Sequence, residues 1–351
     1  MKASYEKSYG AFLYLYYRFW QGFAKLTAKT EITGGHLVSG RMNNGRTDMD
    51  NFLSIKSAVN KYIAGCEAKV NTPAGKLLLK AVLAGAMIAM GAAGSSVAAH
   101  SVGNVGLARL AAAAVFPVGL MMVITMGAEL FTGDCLMIMA TASGKHSVKR
   151  LVRTLAIVYI GNFLGAGLTA IAVAGSGQLN YSDGVLGAYT IKLALGKVNM
   201  SFGQALISGV LCNILVCAAV MIAMCAKDIT GKLLSAFFVI FLFVTEGFEH
   251  CVANMYYITA GILAKMNPAY VQAAAQEYGL GAEQLAELNT GSFLFHNLLP
   301  VTIGNIIGGM VCVGIPLLYL YREKTQDMRV VKEDQHERSL VFGRNTSGVA
   351  N

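Results

Sequence analysis

Two short polar clusters interrupt long apolar stretches of the chain: Glu129-Leu-Phe-Thr-Gly133 and Glu246-Gly-Phe-Glu-His250. Each puts carboxylates, and the second a histidine, at a depth where a bilayer offers no water. Ionisable groups at that depth are costly and mark a pathway or a binding site. The imidazole of His250 can exchange a proton near neutral pH, and the Thr132 hydroxyl can both donate and accept a hydrogen bond. Each cluster contains glycine, which lets a helix break. Two broken helices with polar groups at mid-membrane predict a channel or transporter.

The elements that must hold these clusters are membrane spans. The chain is 55% hydrophobic, 13% charged and has a mean hydropathy of +0.54, whereas a soluble domain carries roughly 25% charge. Six spans follow, over about 77–99, 107–142 (interrupted), 151–173, 202–224, 233–265 (interrupted) and 298–321. About 20 residues cross the ~30 Å hydrocarbon core, so the second and fifth stretches are too long for a single span. Breaks at 127–133 and 245–249 divide each into a helix and a half-helix.

A repeat relates the two halves. Tyr159-Ile-Gly-Asn-Phe-Leu-Gly165 in the third span matches Thr302-Ile-Gly-Asn-Ile-Ile-Gly308 in the sixth, and each follows a broken helix. Three spans per half force opposite orientations, so the fold class is an all-α membrane protein with an inverted 3+3 repeat and its site at mid-membrane. Gly161, Gly165, Gly304 and Gly308 are read as close helix contacts. Positive charge orients the chain. Lys145, Lys149, Arg150, Arg153, Lys227, Lys232, Arg322, Lys324, Arg329 and Lys332 fall on one face. Arg109, Lys192, Lys197 and Lys265 fall near span ends on the other. Positive-inside bias puts both termini in the cytoplasm.

Residues 1–48 read as a flexible or interfacial extension, with Met42 and Met49 as alternative starts. Residues 49–325 form the channel domain, led by an amphipathic surface helix over 51–69. Residues 326–351 read as a disordered cytoplasmic tail. Seven cysteines lie scattered without metal-ligand spacing and read as small hydrophobes, so no metal, cofactor or disulfide frame is expected. The net charge of +9 is spread between spans rather than gathered on one face, which argues against a nucleic-acid partner.

Five motifs in order resemble the formate/nitrite transporter family over about residues 50–325. They are Gly127-Ala-Glu-Leu-Phe-Thr-Gly133, Tyr159-Ile-Gly-Asn162, Lys197-Val-Asn-Met-Ser-Phe202, Gly247-Phe-Glu-His-Cys-Val-Ala-Asn-Met255 and Pro300-Val-Thr-Ile-Gly-Asn-Ile-Ile-Gly-Gly309. The resemblance implies an aquaporin-like protomer with its own pore, a homopentamer in an inner (plasma) membrane, and transport rather than enzyme activity. It implies formate, nitrite, hydrosulfide, acetate or lactate as cargo, and the cost of a bare charge in an apolar constriction adds the expectation that the cargo crosses as the neutral acid with a proton. It also assigns roles. His250 is the central pore histidine, with Thr132 facing it. Leu120 and Phe243 form the outer constriction, and Leu130, Phe131 and Val216 the inner one. Lys197 draws anions into a vestibule, and Asn213 lies on the vestibule side of the fourth span. Glu129, Glu249 and Asn254 support the breaks, and the two glutamates are expected to accept the backbone N–H groups freed there. Glu246 and Asp134 depart from the family pattern as extra acids. The alternatives are an aquaporin-like pore for neutral solutes, disfavoured because Asn267-Pro268 is the only Asn-Pro pair, and a membrane enzyme using Glu249 and His250.

Overall fold

The computed structural model describes residues 52–322. The expectations for 1–48 and 326–351 lie outside them. A surface helix α1 (Ile55–Val70) leads into α2 (Ala74–Ala99) and α3 (Val105–Met126). After a four-residue break comes the half-helix α4 (Phe131–Ala142), then α5 (Val148–Gly175). A connecting helix α6 (Val185–Val198) opens the second half, followed by α7 (Phe202–Cys225) and α8 (Ile229–Glu246). A second break precedes the half-helix α9 (Cys251–Lys265). Two short helices, α10 (Pro268–Tyr278) and α11 (Ala282–Glu287), lead to the last span, α12 (Ser292–Tyr321). Six of these helices are long and apolar enough to cross a membrane.

Local sequence sets the ends. Side chains of Ser54, Asn104, Ser147, Ser201, Asp228 and Asn267 accept the N–H groups of their helices' first turns. The breaks open where Gly127 (φ 63°) and Gly247 (φ 73°) enter the left-handed region and close α3 and α8. The sixth span starts six residues earlier than hydropathy suggests. Asn289 accepts the Ser292 N–H at 3.0 Å, and Asn297 is buried and hydrogen-bonded within the helix bundle, so a polar residue there does not end the span. Two π-helical stretches, Ser292–Leu298 and Ile307–Gly314, flank the turns that contain Pro300 and Pro316. Proline removes a ladder donor and crowds the preceding turn, which such wide turns accommodate.

The repeat in the sequence is a repeat of packing. In one half α2 lies along α5, and in the other α7 lies along α12. A Cβ on Gly161 or Gly165 would meet the carbonyl oxygens of Leu78 or Val82. On Gly304 or Gly308 it would meet those of Leu206 or Val210. Tyr159 and Thr302, which occupy equivalent positions, hydrogen-bond to each other at 2.9 Å through their hydroxyls. Because the obstruction is backbone, Gly165→Val and Gly308→Val are each expected to lower folded yield and the unfolding midpoint. Overpacking costs about 1–3 kcal/mol and more where nothing can yield. The same change at Gly167, which has open space around it, is the control; equal yields for all three would refute the assignment.

Candidate functional site

Both half-helices begin buried, where their free N–H groups find no water. The expectation that Glu129 and Glu249 accept those groups is not met. Asparagines from the neighbouring spans do so. Asn162 Oδ1 accepts the Phe131 N–H at 2.9 Å, and its Nδ2 donates to the carbonyls of Ala81 (2.7 Å) and Glu129 (3.0 Å). Asn305 repeats each bond: Oδ1 accepts the Cys251 N–H at 2.9 Å, and Nδ2 donates to Gly209 (2.8 Å) and Glu249 (3.1 Å). An amide carries one acceptor and two donors, which matches one free N–H and two free carbonyls. A carboxylate, being acceptor-only, could not serve both.

The glutamates bind cations instead. Glu249 Oε1 takes the Lys197 ammonium at 2.8 Å, and its Oε2 accepts from Asn254 (2.6 Å) and Asn297 (3.2 Å). Its own N–H donates to Ser208 Oγ at 3.0 Å. Asn254 thus donates to the carboxylate that sits beside the second break. Glu129 pairs with Lys69 at 2.6 Å and Lys80 at 3.6 Å. Asp134, the extra acid, also pairs with Lys69, at 2.5 Å. Burial alone would push the Lys69 ammonium down, but the two carboxylates outweigh it and hold Lys69 above its ordinary value. Glu246, the other departure, ends α8 with its side chain exposed.

Lys69 has no role in the sequence reading, which places it in a surface helix. A signal for it exists. Lys69-Val-Asn with Gly75 repeats as Lys197-Val-Asn with Gly203 at the same offset that relates Leu78 to Leu206 and Val82 to Val210. Lys69 and Lys197 are therefore equivalent residues, each paired with the glutamate of its own break.

Between the breaks, His250 caps α9. Its Nδ1 accepts the Ala253 N–H at 3.0 Å, which puts the ring proton on Nε2, and Nε2 donates to Thr132 Oγ1 at 2.9 Å. Thr132 is fully buried, and its hydroxyl hydrogen remains available. Asn213 is not on a vestibule. It is fully buried, and its Nδ2 donates to the carbonyls of Thr132 (3.2 Å) and Asn305 (2.6 Å), tying the first break to the sixth span. A cavity of about 810 Å³ opens from His250 towards the face opposite the basic loops. Lys197, Arg109, Lys192, Phe243 and Glu249 share its wall. Phe243 packs edge-on against Phe116 (5.8 Å between centroids) and lies 6.1 Å from the His250 ring. Leu120, Leu130, Phe131 and Val216 are all buried, and none of them lines that cavity. Phe131 packs edge-on against Tyr159 at 4.8 Å.

Six cysteines are buried and Cys312 is exposed. Burial pushes the Cys66 thiol up to about 12, so it behaves as a hydrophobe. Among the described residues no cluster of ligating side chains could hold a metal.

Comparison with known proteins agrees with this geometry. The profile described as "Formate/nitrite transporter" matches residues 56–319. The "Formate channel FocA" of Haemophilus influenzae is 37% identical over 217 residues, covering 61% of this chain and 75% of that protein. The "Probable formate transporter" of Methanothermobacter thermautotrophicus is 35% identical over 289 residues, covering 77% of this chain and 97% of its own. A solved "Pentameric formate channel with formate bound" superposes with a TM-score of 0.66 at 34% identity, covering 71% of this chain and 98% of that one. With six membrane-length helices, two broken ones and a profile match across the whole bundle, the chain belongs to the formate/nitrite transporter family, whose members are channels and transporters rather than enzymes.

Proposed function

We propose that this protein is a homopentameric channel or transporter for small monovalent anions, formate or nitrite first among them, which cross the constriction as the neutral acid together with a proton. The proposal places it in the inner membrane with both termini cytoplasmic and Lys197 on the outer mouth. The observation that carries it is the His250–Thr132 hydrogen bond at the end of a cavity whose wall carries Lys197, Arg109 and Lys192 against two carboxylates, Glu249 and Glu277.

The energetics favour the acid. A bare charge in a dry apolar constriction is penalised nominally by tens of kcal/mol. Protonating a carboxylate of pKa near 4 at pH 7 costs about 3 units, or roughly 4 kcal/mol. Lys197, with Arg109 and Lys192 near it, concentrates the anion in the vestibule. Phe243 and Leu120 form the outer gate, and Leu130, Phe131 and Val216 the inner one. Thr132 and His250 offer the acid polar contact between them. The hydrogen-bond pattern supports a neutral His250, because a proton on Nδ1 would face the Ala253 N–H that already donates there. Vestibule water then supplies the proton.

Uptake of labelled formate into proteoliposomes, at clamped voltage with an inward proton gradient on or off, tests this. Gradient-stimulated uptake, inhibited by the preferred monoacid, is expected. His250→Phe removes the Nε2 donor and is expected to cut proton-dependent flux; flux unchanged over about pH 5–8 would exclude a proton role for the site. Passage of water or glycerol with no anion uptake would favour a neutral-solute pore.

A further inference from the structure

The internal two-fold sets Lys69 at the counterpart of the Lys197 mouth, so the mouth lined by Lys197 can serve as the reference for the Lys69 mouth. At the Lys197 mouth one ammonium meets one carboxylate, Glu249, and the remaining contacts to that carboxylate come from two neutral amides, Asn254 and Asn297. The formal charges of that pair cancel, and Arg109, Lys192 and Glu277 line the same cavity. At the Lys69 mouth the position equivalent to Asn254 is Asp134, and the position equivalent to Ser208 is Lys80. The substitutions within the repeat therefore add one charge of each sign.

The geometry distributes those charges unequally. Lys69 is held by both carboxylates, Asp134 at 2.5 Å and Glu129 at 2.6 Å, with its side chain 22% exposed. An ammonium so held keeps one N–H free, but its single positive charge is outweighed by the two carboxylates upon it. Lys69 with its two acids would by itself present net negative charge, which repels the cargo. Lys80 restores the balance. Its Nζ lies 3.6 Å from Glu129 Oε1, at the long end of ion-pair range, and its side chain is 47% exposed. Nor does the local backbone require a lysine there. The Glu129 N–H goes to the Lys80 carbonyl at 3.4 Å, a bond available to any residue type, whereas the Glu249 N–H uses the Ser208 side chain.

We infer that Lys80, not Lys69 alone, is the cation that recruits monovalent anions at this mouth, and that it offsets Asp134 in doing so. This rests on the anion-transport reading above. A charge at a vestibule acts on capture, over about a Debye length of ~8 Å at physiological salt. Its removal therefore raises KM while leaving the maximal rate in place.

The test is sided uptake of labelled formate by the full-length protein in oriented proteoliposomes. Lys80→Gln is expected to raise KM about tenfold for entry from the Lys69 mouth only, with the rise shrinking as salt is added. Lys80→Arg keeps the charge and is expected to keep the wild-type KM. Lys80→Gln with Asp134→Asn removes one charge of each sign, as at Ser208 and Asn254, and is expected to bring KM back. A purely structural Lys80 would give neither the salt dependence nor the rescue. An unchanged KM in Lys80→Gln, an equal rise from both sides, or no recovery in the double variant would overturn the inference while wild-type uptake stands. Wild-type protein that takes up no monoacid would overturn the transport reading, and the inference with it.

Discussion

Glu249→Ala is expected to destabilise the protein by about 3–5 kcal/mol, the range for breaking a buried ion pair from one side. The side chains of Lys197 and Glu249 are 13% and 5% exposed, so removing the carboxylate leaves a mostly buried ammonium without its counter-charge. It also strands the Asn254 and Asn297 amides that donate to Oε2. The loss is local to the second break and displaces His250, the next residue. A thermal unfolding series in nanodiscs reads the effect. Lys197→Met alone should be similarly harmful, since it leaves the carboxylate without its cation. Lys197→Met combined with Glu249→Ala should be less destabilised than the sum of the singles, because a matched pair of charges is removed together. An unfolding midpoint for Glu249→Ala equal to that of the unmodified protein would show that the pair stabilises nothing.

Asn305→Ala and Asn162→Ala should each abolish transport at a cost in folding at least as large. Each side chain makes three buried hydrogen bonds that no water can replace within the hydrocarbon layer. Each polar group left unpaired costs about 1–3 kcal/mol. The N–H freed at Cys251 or Phe131 lies next to His250 or Thr132, so the first consequence is a shift in the 2.9 Å contact between those side chains. Asn305→Asp is no remedy, since a carboxylate keeps the acceptor but loses both donors to the Gly209 and Glu249 carbonyls. Formate uptake measured beside amide exchange at Cys251 would check this. Normal flux with protected exchange in Asn305→Ala would refute the pinning role.

Much of this was legible in one dimension. Hydropathy over about 20 residues located the six spans, because crossing a bilayer demands continuous apolar length. Polar residues beside Gly127 and Gly247 marked both breaks, since glycine alone enters the left-handed region without strain. The Tyr159 and Thr302 motifs disclosed the repeat, and their asparagines prove to be its working residues. The glycines of that motif were readable as close contacts because only hydrogen fits where two backbones meet.

Partner choice was not legible. Glu129 and Glu249 read equally well as acceptors of backbone N–H groups or of cations. The outcome turned on Lys69 and Lys197, which are far from them in sequence and arrive only when the surface helix and the connecting helix fold against the breaks. Asn213 looked like a vestibule residue by its place on a span, and became an internal tie because the helix rotation points it at Thr132 and Asn305. Asp134 stood out as an extra acid, but its pairing with Lys69, and that of Lys80 with Glu129, appeared only in the folded chain. The chain by itself determined spans, breaks and symmetry, because these follow from local length, apolarity and backbone freedom. Tertiary structure decided which charge meets which, because in a medium without water a buried charge takes the partner that packing brings within reach.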